Sequence, residues 1–234
     1  MGKFVFKSYT RRGYTEWNHQ RSWWSYGTQK KSKKVAPYII KDDYYERAKS
    51  EGYRARSVYK LIEIQDQFEL IEPDMNVCDV WAAPGSFIQF INKIIGEKGN
   101  IVWIDIKPID KYSQDNVNTI VHSIFDQDTL IPKVEQYIWK WERFDLITSD
   151  IWPNTTGRKD VDQYASVELN IEIVKFSKVF LKKWWNLLLK VFKWEDFWDL
   201  LNIINNEFES FTEYKPKACR DRSFEEYVIC WWKM

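Results

Sequence analysis

The sequence predicts an α/β protein whose mostly parallel sheet is covered by helices on both faces. Three observations lead to this prediction: helical and strand-like segments alternate from Pro37 onward, the strand-like segments are short and apolar, and the last two follow each other without a helix between them. Strands that alternate with helices pair in parallel through helical crossovers, whereas two strands in direct succession form an antiparallel finish to the sheet.

Each predicted element rests on its own pattern of apolar residues. Helical spacing is clear in residues 57–68, and the helix over residues 86–95 ends at Gly96, a residue typical of helix ends. The predicted helices are residues 43–50, 57–68, 86–95, 131–141, 164–181 and 195–205. Short apolar runs bounded by turn residues predict the strands. They are residues 76–80, 101–106, 119–122, 144–149, 186–192, 208–214 and 226–232.

Charge divides the chain after residue 36. Residues 1–36 carry nine Lys or Arg against Glu16 alone, a net charge of +8, while the rest of the chain has 26 basic and 33 acidic residues. A basic segment without apolar periodicity is typical of a flexible arm that neutralises phosphates. Its aromatic residues, such as Tyr9 and Tyr26, could stack on unpaired RNA bases, although a solubilising tail has a similar composition. We therefore predict a basic arm over residues 1–36 and a folded domain over residues 37–234.

Composition excludes several classes of protein. Aromatic residues make up 18% of the chain and charged residues 29%, which excludes global disorder. The most apolar stretch, residues 174–194, contains six lysines and cannot span a membrane, and no apolar core of a signal peptide is found at the N-terminus. Three cysteines without a C-x-x-C pair argue against a disulfide framework or a zinc site. We expect a cytoplasmic protein that binds neither a metal nor a membrane.

Residues at the carboxyl ends of the first two strands indicate a nucleotide-like ligand. The turn Ala82-Ala-Pro-Gly85 follows the first strand and opens a helix, which lets a ligand approach the backbone and the helix N–H groups. Asp105 ends the second strand about 20 residues later, where a carboxylate accepts hydrogen bonds from ribose hydroxyls. These features predict an adenosine-containing cofactor, either NAD or S-adenosyl-L-methionine, although a buried turn and a solvated aspartate would have the same sequence.

A lysine lies inside an apolar strand. Lys190 stands in the run Leu-Leu-Leu-Lys190-Val-Phe192, and Asp150 follows the preceding strand in Ser149-Asp150-Ile-Trp-Pro-Asn154. A buried lysine is costly unless its charge is paired or its pKa is lowered, and both conditions recur in active sites. Lys190 is therefore a candidate catalytic residue, unless its side chain extends to water.

Five motifs occur in one order over residues 40–234. They are Arg54-Ala-Arg-Ser-Val-Tyr-Lys60-Leu, Asp79-Val-Trp-Ala-Ala-Pro-Gly85, Ser149-Asp150-Ile-Trp-Pro-Asn154, Leu-Leu-Lys190-Val-Phe, and Lys215-Pro216 through Arg220-Asp-Arg222-Ser223-Phe-Glu225-Glu-Tyr227. In order and spacing they resemble the FtsJ (RrmJ) family of ribosomal RNA 2′-O-ribose methyltransferases. The resemblance implies a Rossmann-like, seven-stranded fold with one antiparallel strand, and S-adenosyl-L-methionine as the methyl donor.

The resemblance also implies roles for individual residues. The implied catalytic set is Lys60, Asp150, Lys190 and Glu225, with Lys190 as the base or orienter of the target hydroxyl. The implied cofactor-binding residues are Asp79, Trp81, Ala82, Pro84, Gly85, Phe87, Asp105, Asp126 and Asp150. Asp126 departs from the pattern, because the family has an acidic residue directly after the third strand and this chain has one only four residues beyond His122.

The reaction and the partner follow from the same resemblance. It implies an enzyme that methylates a ribose 2′-hydroxyl, on a uridine, in the ribosomal RNA of the large subunit. We expect this enzyme to be a monomer. Such a hydroxyl is a poor nucleophile until its proton is polarised or removed. Two alternatives carry the same motifs: a non-catalytic RNA-binding protein whose cofactor pocket is filled by Trp81, and a methyltransferase of the messenger cap or of transfer RNA.

Tryptophan replaces glycine at several positions of the motifs. The chain has 14 Trp and 8 Gly, and the family has glycine at the positions of Trp81, Trp184, Trp185, Trp194 and Trp232. An indole in place of a hydrogen should overpack its surroundings, and more so where the backbone needs a positive φ. We hypothesise that the source reads UGA codons as glycine and that the sequence renders them as tryptophan. The alternative is a Trp-rich variant with a remodelled cofactor pocket.

Removal of residues 1–36 tests the basic arm. If the arm binds RNA, the shortened chain should have a higher KM for RNA and a weaker salt dependence, because each lost phosphate contact reduces the slope of log K against log salt by about 0.7 on single strands. Methyl transfer assayed across a salt series measures both quantities. An unchanged KM and salt dependence would reduce the segment to a tail.

Overall fold

The computed structural model of the chain describes residues 42–81, 83–108, 112–138, 143–152, 158–193, 197–220 and 223–234. The helices in these ranges are α1 (Asp43–Ser50), α2 (Val58–Phe68), α3 (Ser86–Ile95), α4 (Gln127–Ile138), α5 (Lys159–Phe180) and α6 (Phe197–Asn205). The strands are β1 (Asn76–Val80), β2 (Asn100–Asp105), β3 (Val117–Val121), β4 (Phe144–Ser149), β5 (Leu181–Phe192), β6 (Phe208–Tyr214) and β7 (Glu225–Lys233). No helix in the described part of the chain has the length and apolar character of a membrane span. The predicted basic arm lies outside the described residues.

The described strands form one seven-stranded sheet in the order β3-β2-β1-β4-β5-β7-β6. Strands β1 to β5 pair in parallel with one another, and β7 runs antiparallel to both β5 and β6. The predicted mostly parallel sheet with one antiparallel strand is therefore confirmed. Because the carboxyl ends of parallel strands lie at one edge, the residues that follow β1, β2, β4 and β5 are neighbours.

Several boundaries differ from the predictions. β5 begins at Leu181 rather than at residue 186, so α5 leads into it directly, and its register with β4 shifts. α4 begins at Gln127 rather than at residue 131, because the Leu130 N–H bonds to the Asp126 carbonyl oxygen at 3.0 Å and starts the helix upstream. Pro132, typical of a first helical turn, therefore lies inside α4. The errors arise where an element continues through residues that usually end it.

Helices cover both faces of the sheet. Successive residues of a strand point to opposite faces, so Val77 packs in one apolar cluster and Cys78 in another. The Val77 cluster includes residues of α2 and α3, such as Ile88, whereas the Cys78 cluster includes residues of α4, α5 and α6, such as Val134. The predicted helices on both faces are confirmed.

The turn from β1 into α3 depends on a glycine. Gly85 has a φ of 96° directly before α3. A Cβ atom at this position would lie 2.7 Å from the Tyr112 hydroxyl oxygen and 3.0 Å from the Trp103 ring. Glycine therefore lets the chain turn tightly here, and it places the free N–H groups of the first turn of α3 at the carboxyl edge of the sheet.

Val134→Ala should lower the free energy of unfolding by about 2 kcal/mol, because the change removes apolar contacts and leaves a cavity. Val134 is fully buried in α4. Val179→Ala in α5 is the matched control, since Val179 is 41% exposed and the same change there should cost less than about 0.5 kcal/mol. Urea denaturation measures both values. Equal losses would contradict the placement of Val134 in the core.

Candidate active site

Four charged side chains from separate elements meet at the carboxyl edge of the sheet. Lys60 lies in α2, Asp150 follows β4, Lys190 is in β5, and Glu225 begins β7. The Lys60 Nζ lies 2.7 Å from the Glu225 Oε2, and the Lys190 Nζ lies 2.9 Å from the Asp150 Oδ1. The structure thus brings together the four residues that the resemblance implies as a catalytic set.

Asp150 and its neighbours fix the position of the Lys190 ammonium group. The Lys190 Nζ donates a hydrogen bond to the Asp150 carbonyl oxygen at 2.8 Å, and the buried Tyr227 hydroxyl donates one to the Asp150 Oδ1 at 2.7 Å. The Lys190 Nζ also lies 4.9 Å from the centre of the Trp152 ring, within range of a cation–π interaction. Lys190 is only 2% exposed. Its side chain therefore does not extend to water, and that alternative is wrong.

Burial and neighbouring charges set the protonation of these groups. Burial lowers the pKa of Lys190, with a contribution from the Lys60 cation, although Asp150 opposes the change. Burial opposes the charge on Lys60 too, but the Asp150 and Glu225 carboxylates outweigh it and raise the pKa of Lys60. Burial disfavours ionised Asp150, yet Lys190 and Lys60 together lower the pKa of that carboxyl. Lys190 is therefore the more readily deprotonated of the two lysines.

A cavity of about 450 Å³ lies against the Lys60–Glu225 pair. Two arginines, two serines and an aromatic ring line it together with this pair, and the residues are Arg56, Ser57, Lys60, Trp152, Arg220, Ser223 and Glu225. Both guanidinium groups contact the Asp42 carboxylate, with an N–O distance of 3.4 Å for Arg220. Cationic, hydroxyl and aromatic groups are the groups that bind the phosphate, sugar and base of a nucleotide.

Asp79, at the end of β1, is buried with one oxygen unpaired. Its Oδ1 accepts a hydrogen bond from the Thr148 hydroxyl at 2.7 Å, while its Oδ2 has no hydrogen-bond partner among the described residues. Burial, with a contribution from the negative charges of Asp150 and Asp105, raises the pKa of Asp79 to about 8. A buried polar atom without a partner is costly unless a ligand supplies one, as expected in a cofactor-binding loop.

Asp105, at the end of β2, holds the loop that follows β1. Its Oδ2 accepts a hydrogen bond from the Ala83 N–H at 2.8 Å, and its Oδ1 accepts one from the Lys107 N–H at 2.8 Å. Because a carboxylate oxygen has two lone pairs, each oxygen keeps an acceptor position for a ribose hydroxyl. Further along the loop, the Gly85 carbonyl oxygen accepts a hydrogen bond from the Tyr112 hydroxyl at 2.5 Å.

The space between these groups is small. The residues around it enclose about 10 Å³, roughly what a single water molecule needs. They are Ser57, Asp79, Trp81, Ala83, Pro84, Ser86, Phe87 and Asp150. Ala82, also implied in cofactor binding, lies outside the described residues. The polar groups of the loop fit S-adenosyl-L-methionine, whereas the space beside Trp81 does not.

Asp126 lies at the same edge of the sheet and faces water. The His122 N–H donates a hydrogen bond to the Asp105 carbonyl oxygen at 2.9 Å, which brings the loop after β3 beside β2. The Asp126 Oδ2 accepts a hydrogen bond from the Thr129 hydroxyl at 2.6 Å, and its side chain is 56% exposed. A contact between Asp126 and the cofactor stays a prediction.

A family model covers the part of the chain that forms this site. It is described as FtsJ-like methyltransferase, and it matches residues 53–233. The chain belongs to the FtsJ-like methyltransferase family. The resemblance read from the motifs is thereby confirmed, and with it the assignment of the chain to the methyltransferases that use S-adenosyl-L-methionine.

Individual relatives of this FtsJ-like chain are similar along nearly their whole length. "Ribosomal RNA large subunit methyltransferase E" of Borrelia garinii subsp. bavariensis is 39% identical over 82% of this chain and 96% of its own. The protein of the same name from Brachyspira hyodysenteriae is 35% identical over 82% of this chain and 95% of its own. The crystal structure of a ribosomal RNA methyltransferase from Plasmodium falciparum has a TM-score of 0.68 at 24% identity, covering 77% of this chain and 98% of that one. The Rossmann-like methyltransferase fold is confirmed.

Sequence reasoning missed the groups that hold the site residues in place. In the sequence, Tyr227 served only to align the last motif. In the structure it lies opposite Lys190 in the β5–β7 pair, and its hydroxyl donates a hydrogen bond to Asp150. Thr148 lies opposite Asp79 in the β1–β4 pair and is its hydrogen-bond partner. Both contacts depend on which strands are neighbours, so the strand order, rather than a motif, would have revealed them.

Asp79→Asn should change the pH dependence of stability. Folded Asp79 keeps its proton up to about pH 8, whereas the unfolded chain loses it near pH 4. The folded chain therefore binds more protons between these values, and this group makes stability fall as the pH rises through them. Asparagine lacks this titration, so the stability of the variant relative to the original chain should increase from pH 4 to pH 8.

Urea denaturation at several pH values measures this difference. Asp115→Asn, the same change at an exposed position of the described chain, is the control and should leave the pH profile unchanged. Parallel profiles for Asp79→Asn and the original chain would show that Asp79 titrates normally.

Proposed function

We propose that the chain methylates the 2′-hydroxyl of a ribose, on a uridine, in the ribosomal RNA of the large subunit. The observation that carries this proposal is that two lysines and two carboxylates lie together beside a cavity whose cationic, hydroxyl and aromatic side chains suit a nucleotide. Family membership gives the methyl transfer, and the paired charges suit an acceptor that must be oriented and deprotonated.

Lys190 is the proposed base. When bound, S-adenosyl-L-methionine would supply an activated sulfonium methyl, which leaves the residues of the chain to orient the hydroxyl and take up its proton. Burial lowers the pKa of Lys190 and so favours the neutral amine, whose lone pair can accept that proton. The ammonium that results lies 2.9 Å from the Asp150 Oδ1, which stabilises its charge.

Asp150 is the proposed positioning residue for Lys190. The Tyr227 hydroxyl donates to the same Oδ1 that contacts the Lys190 Nζ, and the Asp150 carbonyl oxygen holds that Nζ from a second direction. The pKa of Asp150 is lowered, since the Lys190 and Lys60 cations outweigh its burial, and the carboxylate therefore stays charged near neutral pH. The Asp150 carboxylate, held by Tyr227, and the Asp150 carbonyl oxygen together restrict the Lys190 Nζ to one position.

Lys60 and Glu225 are the proposed contacts to the target ribose. Both line the 450 Å³ cavity, and their charged atoms lie 2.7 Å apart. The raised pKa of Lys60 keeps it protonated, because the neighbouring carboxylates outweigh its burial, so it can donate hydrogen bonds to ribose or phosphate oxygens. Glu225 can accept a hydrogen bond from a hydroxyl. Together they would hold the ribose beside Lys190.

Relatives and charge support ribosomal RNA as the substrate. The Borrelia and Brachyspira proteins are named large-subunit ribosomal RNA methyltransferases. Arg56 and Arg220 at the cavity offer cations to the RNA backbone, and the +8 charge of residues 1–36 would add further phosphate contacts. A monomer suffices for this function, since a single chain supplies all four proposed site residues.

Trp81 favours a second candidate function, RNA binding without methyl transfer. With this side chain in place, the cofactor loop encloses about 10 Å³. Such a protein would bind RNA through the arginine-lined cavity and the basic arm but would not bind S-adenosyl-L-methionine. Titration with the cofactor, in chains that carry Trp or Gly at position 81, distinguishes the two functions.

Lys190→Ala tests the proposed base. The variant should lose methyl transfer by about 10²- to 10⁴-fold, the contribution of a positioned general base. Because Lys190 is buried and is not among the residues that line the cavity, RNA affinity should stay unchanged. Lys193→Ala removes the same charge from a side chain that is 49% exposed and pairs with Glu213, and it should retain activity. The measurement is transfer of labelled methyl to large-subunit ribosomal RNA, with transfer RNA and capped messenger RNA as competing substrates.

These assays are run with Trp and with Gly at position 81. Near-normal turnover by Lys190→Ala would overturn the role of Lys190. Preferred methylation of transfer RNA or of the cap would overturn the proposed substrate while leaving the proposed base in place.

A further inference from the structure

Three tryptophans of the described chain have a left-handed backbone. The φ angle is 67° at Trp81, 67° at Trp184 and 54° at Trp232. Positive φ occurs in a few per cent of non-glycine residues, with Asn and Asp enriched, and it is a genuine outlier for a bulky side chain. The other non-glycine examples in the described ranges are Asp74, of a tolerant type, and Glu69, the C-cap of α2. The tryptophans fit neither case.

Burial does not compensate for this conformation at two of the positions. Trp184 is 66% exposed and Trp232 is 47% exposed, so the indole rings gain little from packing. Trp184 lies where β5 bulges against β4, between the pairs of Phe144 with Leu181 and of Leu146 with Asn186. Left-handed glycine is a usual residue of β-bulges, because it adopts this conformation without steric cost.

Trp232 occupies a similar irregular place in β7. It lies beyond the last β5–β7 pair, Leu187 with Cys230, and its N–H donates to the Asn186 side-chain oxygen at 3.2 Å. The backbone at Trp232 and at Trp184 therefore has the geometry that glycine adopts freely. The same hydrogen bond would form with glycine, since it uses only a main-chain atom of residue 232.

Trp81 is the position with a consequence for function. It directly follows β1, and its N–H donates to the Ile104 carbonyl oxygen at 2.7 Å, which fixes the left-handed turn. Its side chain lines the space of about 10 Å³ between Asp79 and Asp150. The polar groups of this loop fit the cofactor and the space does not, so the indole is the group in conflict with the rest of the loop.

We propose that residue 81 determines whether the chain binds S-adenosyl-L-methionine, and that glycine occupies positions 81, 184 and 232 in the protein that its source makes. The first part of this proposal rests on the proposed function, which gives S-adenosyl-L-methionine as the ligand. The assignment of glycine to the three positions does not depend on it. The proposed cause is a UGA codon at these positions, which differs from the tryptophan codon UGG in one base and which a transfer RNA of the source would read as glycine. Translation of the same codon as tryptophan would then give tryptophan at positions whose backbone conformation suits glycine.

Composition agrees with this assignment. The chain has 8 Gly in 234 residues, about half the average usage of roughly 7%. Trp185 has no positive φ, and Trp194 lies outside the described residues, so the backbone assigns glycine to three of the five positions where the family has it.

The coding DNA and the protein purified from its source give the direct test. We expect UGA at codons 81, 184 and 232, and peptides whose masses contain glycine at these positions. UGG at these codons, or peptides that contain tryptophan there, would overturn the proposal.

Trp81→Gly, made in a host with the standard code, tests the role of residue 81. Its affinity for S-adenosyl-L-methionine, measured by calorimetry, should exceed that of the chain with Trp81 by at least about tenfold, because the overpacking is removed. Trp198→Gly, at a tryptophan of α6 that is 69% exposed, is the matched control and should gain no affinity. Equal affinity of the Trp81→Gly variant and the chain with Trp81 would overturn the role of residue 81.

The backbone part of the proposal has a test that needs no ligand. Trp184→Gly and Trp232→Gly should each raise Tm by several degrees, since the strain is relieved and little buried surface is lost. Trp198→Gly should lower Tm, because glycine is unfavourable inside a helix. A decrease of Tm in all three variants would overturn the assignment of glycine to the two strand positions.

These outcomes separate the inference from the proposed function. A Trp81→Gly variant that binds the cofactor but methylates no RNA would overturn the proposed function and leave the inference standing. A chain with Trp81 that methylates large-subunit RNA at the rate of the Trp81→Gly variant would support the function and overturn the inference.

Discussion

Two buried ion pairs, Lys60 with Glu225 and Lys190 with Asp150, are the constraint on which the rest of the site depends. An isolated charge taken out of water costs far more than the net stability of a domain, so each ammonium needs its carboxylate at contact distance. The sheet order β4-β5-β7 meets this need, because it places Asp150 on one side of Lys190 and Tyr227 on the other. With a different neighbour for β5, Lys190 would be buried without a partner.

The fold could be predicted where local pattern and tertiary structure agree, and not elsewhere. β1 and β4 follow the predicted bounds because each is a short apolar run between turn residues. β5 starts five residues early, since residues 181–185 pair or bulge along β4 in spite of their lysines and tryptophans. The periodicity of apolar residues predicts which side of a single helix or strand is buried. A bulge depends on how two strands pair, so the sequence of one strand does not predict it.

The candidate site divides in the same way. Lys60, Asp150, Lys190 and Glu225 could be found because motifs fix their identity and spacing, and the structure brings them together. Their supporting groups follow from strand registers. The conflict at residue 81 is a third case: side-chain type, backbone conformation and pocket volume disagree there, although side-chain type and backbone conformation agree at Gly85. A sequence that specifies its structure is consistent across such levels except at functional or strained sites, and residue 81 is the position in this site where the levels disagree.

Burial disfavours the ionised carboxyl of both Asp79 and Asp150, but their pKa values are shifted in opposite directions. Asp79 is the penultimate residue of β1 and Asp150 follows β4, with Val80 opposite Ser149, and both carboxyl groups line the same small space. Burial raises the pKa of Asp79 to about 8, because its hydrogen bond from Thr148 is a weak compensation. The same burial is overcome at Asp150 by two lysine cations, which lower its pKa. Near neutral pH one carboxyl is largely neutral and the other charged, and only the charged one touches Lys190. Asp150, rather than Asp79, therefore carries the negative charge that pairs with Lys190.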